Sequence, residues 1–169
     1  RIMWRTAIVA VALACLLAPV ATAAGEREDQ AFEQLKSLAG AWDAATPDGP
    51  ATIIYRVASA GSIVIEEMFP GTAHEMITVY HRDGDKLVAT HYCAIGNQPR
   101  TALDATAPLT DGMHFAFAGG TNMKPDDGHI HEWTIRVVDA DHVEERWTYW
   151  EGGKEEHATS FTMTRRSAK

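Results

Sequence analysis

Short apolar runs separated by turn residues make up most of the chain after Gly40. The runs are rich in Val, Ile, Thr, Tyr, Trp and Phe, and Gly, Pro, Asp and Asn stand between them. This pattern is typical of consecutive antiparallel strands joined by short turns. It predicts ten strands, over residues 41–45, 51–58, 62–69, 73–81, 86–93, 100–105, 113–118, 129–139, 142–150 and 155–165.

A single helix is predicted before the strands. Phe32, Leu35 and Leu38 recur at helical spacing and Gly40 follows as a stop signal, which predicts a short helix over residues 26–38. The strands that follow form a meander, and a long meander leaves exposed edges unless it closes. The predicted fold is therefore all-β: a single up-and-down antiparallel β-barrel of about ten strands with one short N-terminal helix. Trp42 is predicted to plug the barrel beneath the helix, and residues 119–128 to form a loop at one barrel end.

The first residues have the pattern of an export signal. Arg1 and Arg5 precede an apolar run over residues 7–19, and Ala21-Thr22-Ala23 fits an A-x-A cleavage site. The run is shorter than a membrane span requires, and Cys15 leaves lipidation as an alternative. We therefore predict a signal peptide over residues 1–23 and a barrel domain over residues 24–169. The protein is expected to be periplasmic or secreted, with no membrane insertion after signal removal.

The charge of the chain limits the classes of partner that we expect, and its cysteine content limits the disulfides that it can form. The formal net charge is −8 at pH 7, which argues against nucleic acid and anionic membrane surfaces. Removal of a signal that contains Cys15 leaves Cys93 as a lone thiol, so no intramolecular disulfide is possible. The sequence leaves the oligomeric state open.

Strand alternation predicts which side chains face the barrel interior. The predicted inward set is Met113, Phe115, Phe117, His131, Trp133, Ile135, Val137, Trp147, Tyr149, His157, Phe161 and Met163. The opposite faces, predicted to be solvated, carry Glu132, Thr134, Arg136, Glu144, Arg146 and Thr148. In the fourth strand, Ile77 and Val79 compete with Thr78 and Tyr80 for the inward face. Histidines inside a barrel need hydrogen bonds, water or a ligand, because burying a polar group without a partner is costly.

Residues 90–100, Thr-His-Tyr-Cys-Ala-Ile-Gly-Asn-Gln-Pro-Arg, gather the most unusual chemistry in the chain. His91 and Cys93 are two apart on a predicted strand, so they share one face. A turn follows, and Gln98 and Arg100 beyond it could hold the polar or anionic head of a ligand. We predict a ligand site formed by His91, Cys93, Gln98, Arg100, Phe115, His131, Trp133, Trp147, Tyr149 and His157.

The chain resembles the calycin-like β-barrels, which include lipocalins, fatty-acid-binding proteins and nitrobindin-type haem barrels. The features that carry this resemblance are a short helix, the sequence Leu-Ala-Gly-Ala-Trp over residues 38–42 entering the first strand, and the long meander. Residues 70–76 and 90–100 are similar to segments of small, mostly uncharacterised exported bacterial proteins. The resemblance implies a barrel that holds its ligand in the interior.

The function predicted from these observations is binding of a small, at least partly apolar ligand inside the barrel, in the bacterial cell envelope. We expect no enzymatic activity and no resident metal or cofactor. One alternative is a haem, zinc or copper site that uses interior histidines, namely His91, His131 or His157, with His-x-Cys and His-x-His pairs at residues 91–93 and 129–131. The other is a thiol-dependent enzyme with Cys93 as nucleophile, His91 or His74 as base and Glu75 as orienter.

Overall fold

The structure, a computed structural model, describes residues 23–167. Ten antiparallel strands pair in chain order and close into a barrel, because β1 also pairs with β10. The fold class predicted from the sequence is confirmed. The strands are β1 (Gly40–Thr46), β2 (Gly49–Ala58), β3 (Ile63–Met68), β4 (Met76–Asp83), β5 (Lys86–Tyr92), β6 (Gln98–Leu103), β7 (Met113–Thr121), β8 (His129–Val137), β9 (His142–Glu151) and β10 (Lys154–Arg165).

The helix α1 (Ala23–Ser37) covers one end of the barrel, which we call the closed end. It begins three residues before the predicted start and ends one residue before the predicted end. Trp42 is fully buried beneath it, and its Nε1 donates a hydrogen bond of 2.9 Å to the Leu38 carbonyl. The Arg165 guanidinium lies 4.2 Å from the centre of the Trp42 ring. Trp42 therefore occupies the predicted plug position, where packing and a cation–π contact hold it.

Arg27 ties the helix to the barrel wall. Its Nη2 donates to the backbone carbonyls of Asp104, at 2.8 Å, and Ala107. Arg82 at the end of β4 also forms an ion pair of 3.0 Å with Asp29 of the helix. These contacts fix α1 over the closed end, so access to the interior is from the other end.

The opposite end of the barrel, which we call the open end, is formed by the turns that leave β1, β3, β5, β7 and β9. Strand β7 continues to Thr121, so the predicted loop over residues 119–128 is shorter than expected and starts at Asn122. None of these turns contains a helix, and their side chains leave space above the core. The candidate functional site lies at this end.

The barrel interior consists of an apolar core that includes a set of buried polar residues, which we call the polar layer: Glu66, Thr78, His91 and Glu145. Tyr80 and Thr78 of β4 are both fully buried, which decides that these two residues face inward rather than Ile77 and Val79. Trp133 stacks on Trp147 with ring centres 4.6 Å apart and on Phe115 at 5.6 Å. These large rings fill the barrel centre by close packing.

The predicted inward position of His131 is wrong. Pairing between β8 and β9 shifts between Ile130 and Glu132, so His131 is the extra residue of a bulge. Ile130 lines the interior in its place, while His131 stacks on Trp150 at 3.9 Å outside it. A bulge reverses the alternation of the strand beyond it, and a period-two pattern does not reveal one.

Thr148 also departs from the prediction. It was expected on a solvated face but is fully buried, and its hydroxyl lies 3.5 Å from the Glu132 carbonyl. It sits on β9 opposite Glu132 of β8, next to the bulge at His131. The aromatic side chains around that bulge cover this part of the outer wall.

The predicted signal peptide lies outside the described residues, apart from Ala23 at the start of α1. Cys15 lies outside them as well. Over residues 23–167, the structure contains no helix that is both long and apolar enough to cross a membrane.

Candidate functional site

Two connected cavities lie at the open end. The inner cavity, of about 180 Å³, extends into the barrel, and the rim cavity, of about 750 Å³, spreads over the turns. Four residues line both: Thr46, Asp48, Phe69 and Met76. Small-molecule sites commonly measure about 300–1,000 Å³, so the rim cavity alone is in that range and the inner cavity extends it inward.

His91 lies at the inner end of the inner cavity. It is the last inward-facing residue of β5, it is fully buried, and its Nδ1 lies 2.9 Å from the Thr78 hydroxyl. Burial lowers the pKa of His91 from 6.5 to about 4, so the imidazole is neutral at pH 7. Its Nε2 is buried and has no hydrogen-bond partner among the residues described. A buried polar atom without a partner is rare in folded proteins, and a ligand is one way to satisfy it.

A buried carboxyl pair lies in the polar layer of the barrel. Glu66 accepts a hydrogen bond of 2.6 Å from Tyr80, and Glu145 accepts hydrogen bonds from Tyr55 and, at 2.8 Å, from Nε1 of Trp147. Burial, and then the charge of the other carboxyl, raise the pKa of Glu66 well above its ordinary value. Burial also raises the pKa of Glu145.

The two carboxyls influence one another's protonation, because the charge of Glu145 is one cause of the raised pKa of Glu66. Oε1 of Glu66 has no hydrogen-bond donor in the described part of the chain, but the Glu145 carboxyl is within hydrogen-bonding reach. A proton on Glu66 satisfies both groups. Glu145 is the better placed of the two to hold a negative charge, because it accepts two hydrogen bonds from buried donors and Glu66 accepts one.

The mouth of the inner cavity is formed by two stacked rings and by two loops that are joined by a hydrogen bond. Tyr149 of β9 stacks on His157 of β10 with ring centres 5.0 Å apart. The Tyr149 hydroxyl lies directly over Gly128, where a Cβ atom would be 1.7 Å from it. The buried Asn97 donates a hydrogen bond of 2.8 Å from Nδ2 to the Gly128 carbonyl. Asn97 therefore links two loops of the open end, which is a larger role than the turn predicted from the sequence.

Replacing Gly128 by alanine should displace the Tyr149 ring from the mouth. The added methyl group overlaps the phenol, so we expect a loss of about 1–2 kcal/mol in the free energy of unfolding, measured by urea titration. The same replacement made in a Tyr149→Leu background should cost much less. An equal cost in both backgrounds would mean that Gly128 is needed for another reason.

Four of the predicted site residues line the inner cavity: His91, Trp147, Tyr149 and His157. Cys93 lines the rim cavity. Phe115 and Trp133 are core residues packed beneath the cavities. Neither cavity is lined by Gln98, Arg100 or His131.

Gln98 and Arg100 have other positions than expected. Arg100 is exposed on the outer face of β6. The Gln98 amide oxygen accepts hydrogen bonds of 2.9 Å from both Thr121 and Asn122, and its nitrogen donates to the Gly96 carbonyl. Gln98 therefore holds two loops together, and neither residue is placed to bind a ligand head in the barrel.

Among the residues described, the Cys93 thiol forms no hydrogen bond with either histidine proposed as its base. Burial raises the pKa of the Cys93 thiol, which disfavours the reactive thiolate at neutral pH. The sulfur of Cys93 lies 3.9 Å from that of Met76. Glu75 accepts a hydrogen bond of 2.7 Å from the Gly71 amide, and His91 is bound to Thr78. The expected orienter and one of the two expected bases therefore have other partners, while His74, the other expected base, lines the rim cavity with Cys93.

Only one of the three histidines considered for haem or metal binding lies wholly in the interior. His91 is buried, His157 is exposed at the mouth, and His131 is outside the barrel. His129 and His131 face each other, with Nε2 and Nδ1 3.0 Å apart. Within residues 23–167, no group of three or more His, Cys, Asp or Glu side chains is arranged to hold a metal ion.

Sequence reasoning missed the carboxyl pair and several apolar residues of the inner cavity. A signal for Glu145 was present, because it lies two residues before the inward-facing Trp147. For Glu66 the pattern was ambiguous, since both faces of β3 carry a glutamate among apolar residues. Met68, Phe69 and Met76 line the cavity from the end of β3, the loop that follows it and the start of β4.

Comparisons with known proteins support the fold and leave the function open. No protein-family model matches the chain, and no curated protein matches it. A solved structure of a DUF3598-family protein of unknown function from Nostoc punctiforme is similar, with a TM-score of 0.50 and 13% sequence identity. The match covers 79% of this chain and 49% of that protein, so the chain spans about half the length of its structural neighbour.

Proposed function

We propose that this protein binds a small, largely apolar molecule in the inner and rim cavities of its barrel, in the bacterial cell envelope. The observation that carries the proposal is the neutral, fully buried His91 at the inner end of the cavity, whose Nε2 has no described partner. A ligand group at the inner end of the cavity would interact with that nitrogen, as a hydrogen-bond donor or as a cation beside the lone pair of an unprotonated Nε2. The export-like pattern of residues 1–23 supports the location.

The cavity walls favour an apolar ligand body. Six of the twelve residues that line the inner cavity have apolar side chains: Met68, Phe69, Met76, Ile130, Trp147 and Phe161. Burying apolar ligand surface against such a wall contributes about 25 cal/mol per Å² removed from water. The polar lining residues would then orient the ligand, and they are Thr46, Asp48, His91, Tyr149, His157 and Thr159.

Binding can be tested with an uncharged naphthylamine dye whose fluorescence rises in apolar surroundings. We expect the dye to bind the wild-type protein, and Thr159→Trp to abolish binding because the indole fills the inner cavity that Thr159 lines. Native mass spectrometry of protein purified from its source would show whether a small molecule accompanies it.

Thr162→Trp is the matched control, because Thr162 is exposed on the outer face of the same strand. It should leave dye binding unchanged. Circular dichroism would verify that both variants keep the strand content of the wild type. Failure of the wild type to bind the dye, or unchanged binding by a folded Thr159→Trp variant, would count against the proposed function.

A further inference from the structure

The inner cavity has the composition of a site for an organic cation. We propose that it holds a methylated ammonium group, with the apolar remainder of the ligand in the rim cavity. This inference rests on the proposed function and specifies the ligand class of the same site. It follows from the rings, the charges and the carboxyl pair around the cavity.

Aromatic rings surround the inner cavity. Phe69, Trp147, Tyr149, His157 and Phe161 all contribute to its lining. The face of an aromatic ring is electronegative and attracts a cation within about 6 Å, and desolvated sites strengthen this attraction. The thioether groups of Met68 and Met76 complete the wall without adding a strong hydrogen-bond donor. Such a wall suits a cation whose charge is spread over methyl groups.

The charges at the two cavities are also of one sign. Lining side chains that are charged at pH 7 are Asp48 at both cavities and Asp43 at the rim, and no described Lys or Arg lines either one. Asp43 is paired with Arg166, whereas Asp48 forms no ion pair among the residues described. A carboxylate ligand, as in fatty-acid-binding barrels, would find no cation among the described lining side chains, and Arg166 beside the rim is already paired with Asp43. An ammonium group would find Asp48 at the mouth.

The carboxyl pair is linked to the wall of the cavity through Trp147. Glu145 accepts the indole N–H of Trp147 at 2.8 Å, and Trp147 itself lines the cavity. A carboxylate bound to the indole nitrogen makes the ring more electron-rich, which strengthens its attraction for a cation. His91, the other polar group at the inner end, is neutral and brings no positive charge.

The size of the inner cavity limits the cation. Its volume of about 180 Å³ is equivalent to about six water molecules at about 30 Å³ each. A trimethylammonium group fits such a space.

The test compares three probes of similar shape: choline, its neutral isostere in which tert-butyl replaces trimethylammonium, and the tert-butylacetate anion. Affinities are measured by titration calorimetry and by quenching of tryptophan fluorescence. We expect choline to bind about tenfold more tightly than the neutral isostere and the anion to bind more weakly than both. Tyr149→Leu should reduce this preference for the cation.

Asp48→Asn should lower choline affinity about threefold without changing the affinity of the neutral isostere. Asp85→Asn is the matched control, since it removes the same charge from the exposed β4–β5 turn at the closed end. Equal affinities for choline and its neutral isostere, or dye binding without binding of any of the three probes, would overturn the cation inference and leave the proposed function standing. Absence of dye binding by the wild type would reject the proposed function itself.

Discussion

Replacing Glu145 by leucine is expected to lower the free energy of unfolding by about 2–5 kcal/mol. Glu145 is the buried acceptor for the Tyr55 hydroxyl and the Trp147 indole N–H. Leucine has a similar volume but accepts no hydrogen bond, so both donors would stay buried without a partner. Each such donor costs about 1–3 kcal/mol. Urea unfolding monitored by tryptophan fluorescence measures the loss.

Glu66→Gln is the informative comparison. Burial raises the pKa of Glu66 and so favours its protonated form, which glutamine closely imitates. The glutamine carbonyl can accept from Tyr80, and its amide can donate to Glu145 in place of a proton on Glu66. We expect a cost of less than about 1 kcal/mol. A loss as large as that of Glu145→Leu would show that Glu66 is ionised in the folded protein.

A second comparison separates lost hydrogen bonds from lost packing. Adding Tyr55→Phe to Glu145→Leu removes one of the two unpartnered donors, so the double variant should be less destabilised than the sum of the single changes. If the two effects add, the cost of Glu145→Leu comes from packing of the leucine rather than from unsatisfied donors.

The barrel was predictable because its signals are local. Apolar runs alternate with turn residues along the chain, and each strand pairs with its neighbour in sequence, so strand order requires no long-range information. Closure followed from the need to remove two edges. The inward positions of Trp133, Ile135 and Trp147 followed from alternation, and their burial confirms it.

Parts of the site were not predictable because they depend on irregular or long-range features. The bulge at His131 changes which side chain faces inward, and no residue in β8 signals it. Arg100 was assigned to the pocket from the chemistry of its segment, whereas alternation from the buried Thr101 places it outside. The buried Glu66 is tolerated because Tyr80 and Glu145, which are distant in sequence, meet it in the barrel.

Two residues of the polar layer, Glu66 and His91, make the free energy of unfolding depend on pH in opposite directions. Glu66 has a folded-state pKa above its unfolded value, so its contribution is fully present below about pH 4.5 and is lost as the pH rises through the folded-state pKa. His91 has a folded-state pKa below its unfolded value, so folding becomes less favourable as the pH falls from 6.5 towards 4. The two effects partly cancel in the wild type, and a variant is needed to separate them.

Replacing His91 by glutamine should therefore remove a loss of stability on acidification. A pKa lowered from 6.5 to about 4 corresponds to about 3 kcal/mol between pH 7 and pH 4. Between pH 7 and pH 4, the free energy of unfolding should decrease in both proteins. We expect the decrease to be about 3 kcal/mol smaller for His91→Gln than for the wild type. Urea titrations at several pH values measure the difference.

His74→Gln, which removes an exposed imidazole, should follow the wild-type curve. Parallel curves for His91→Gln and the wild type would show that the buried imidazole titrates as it does in water, and would remove the main support for an uncharged group at the inner end of the cavity.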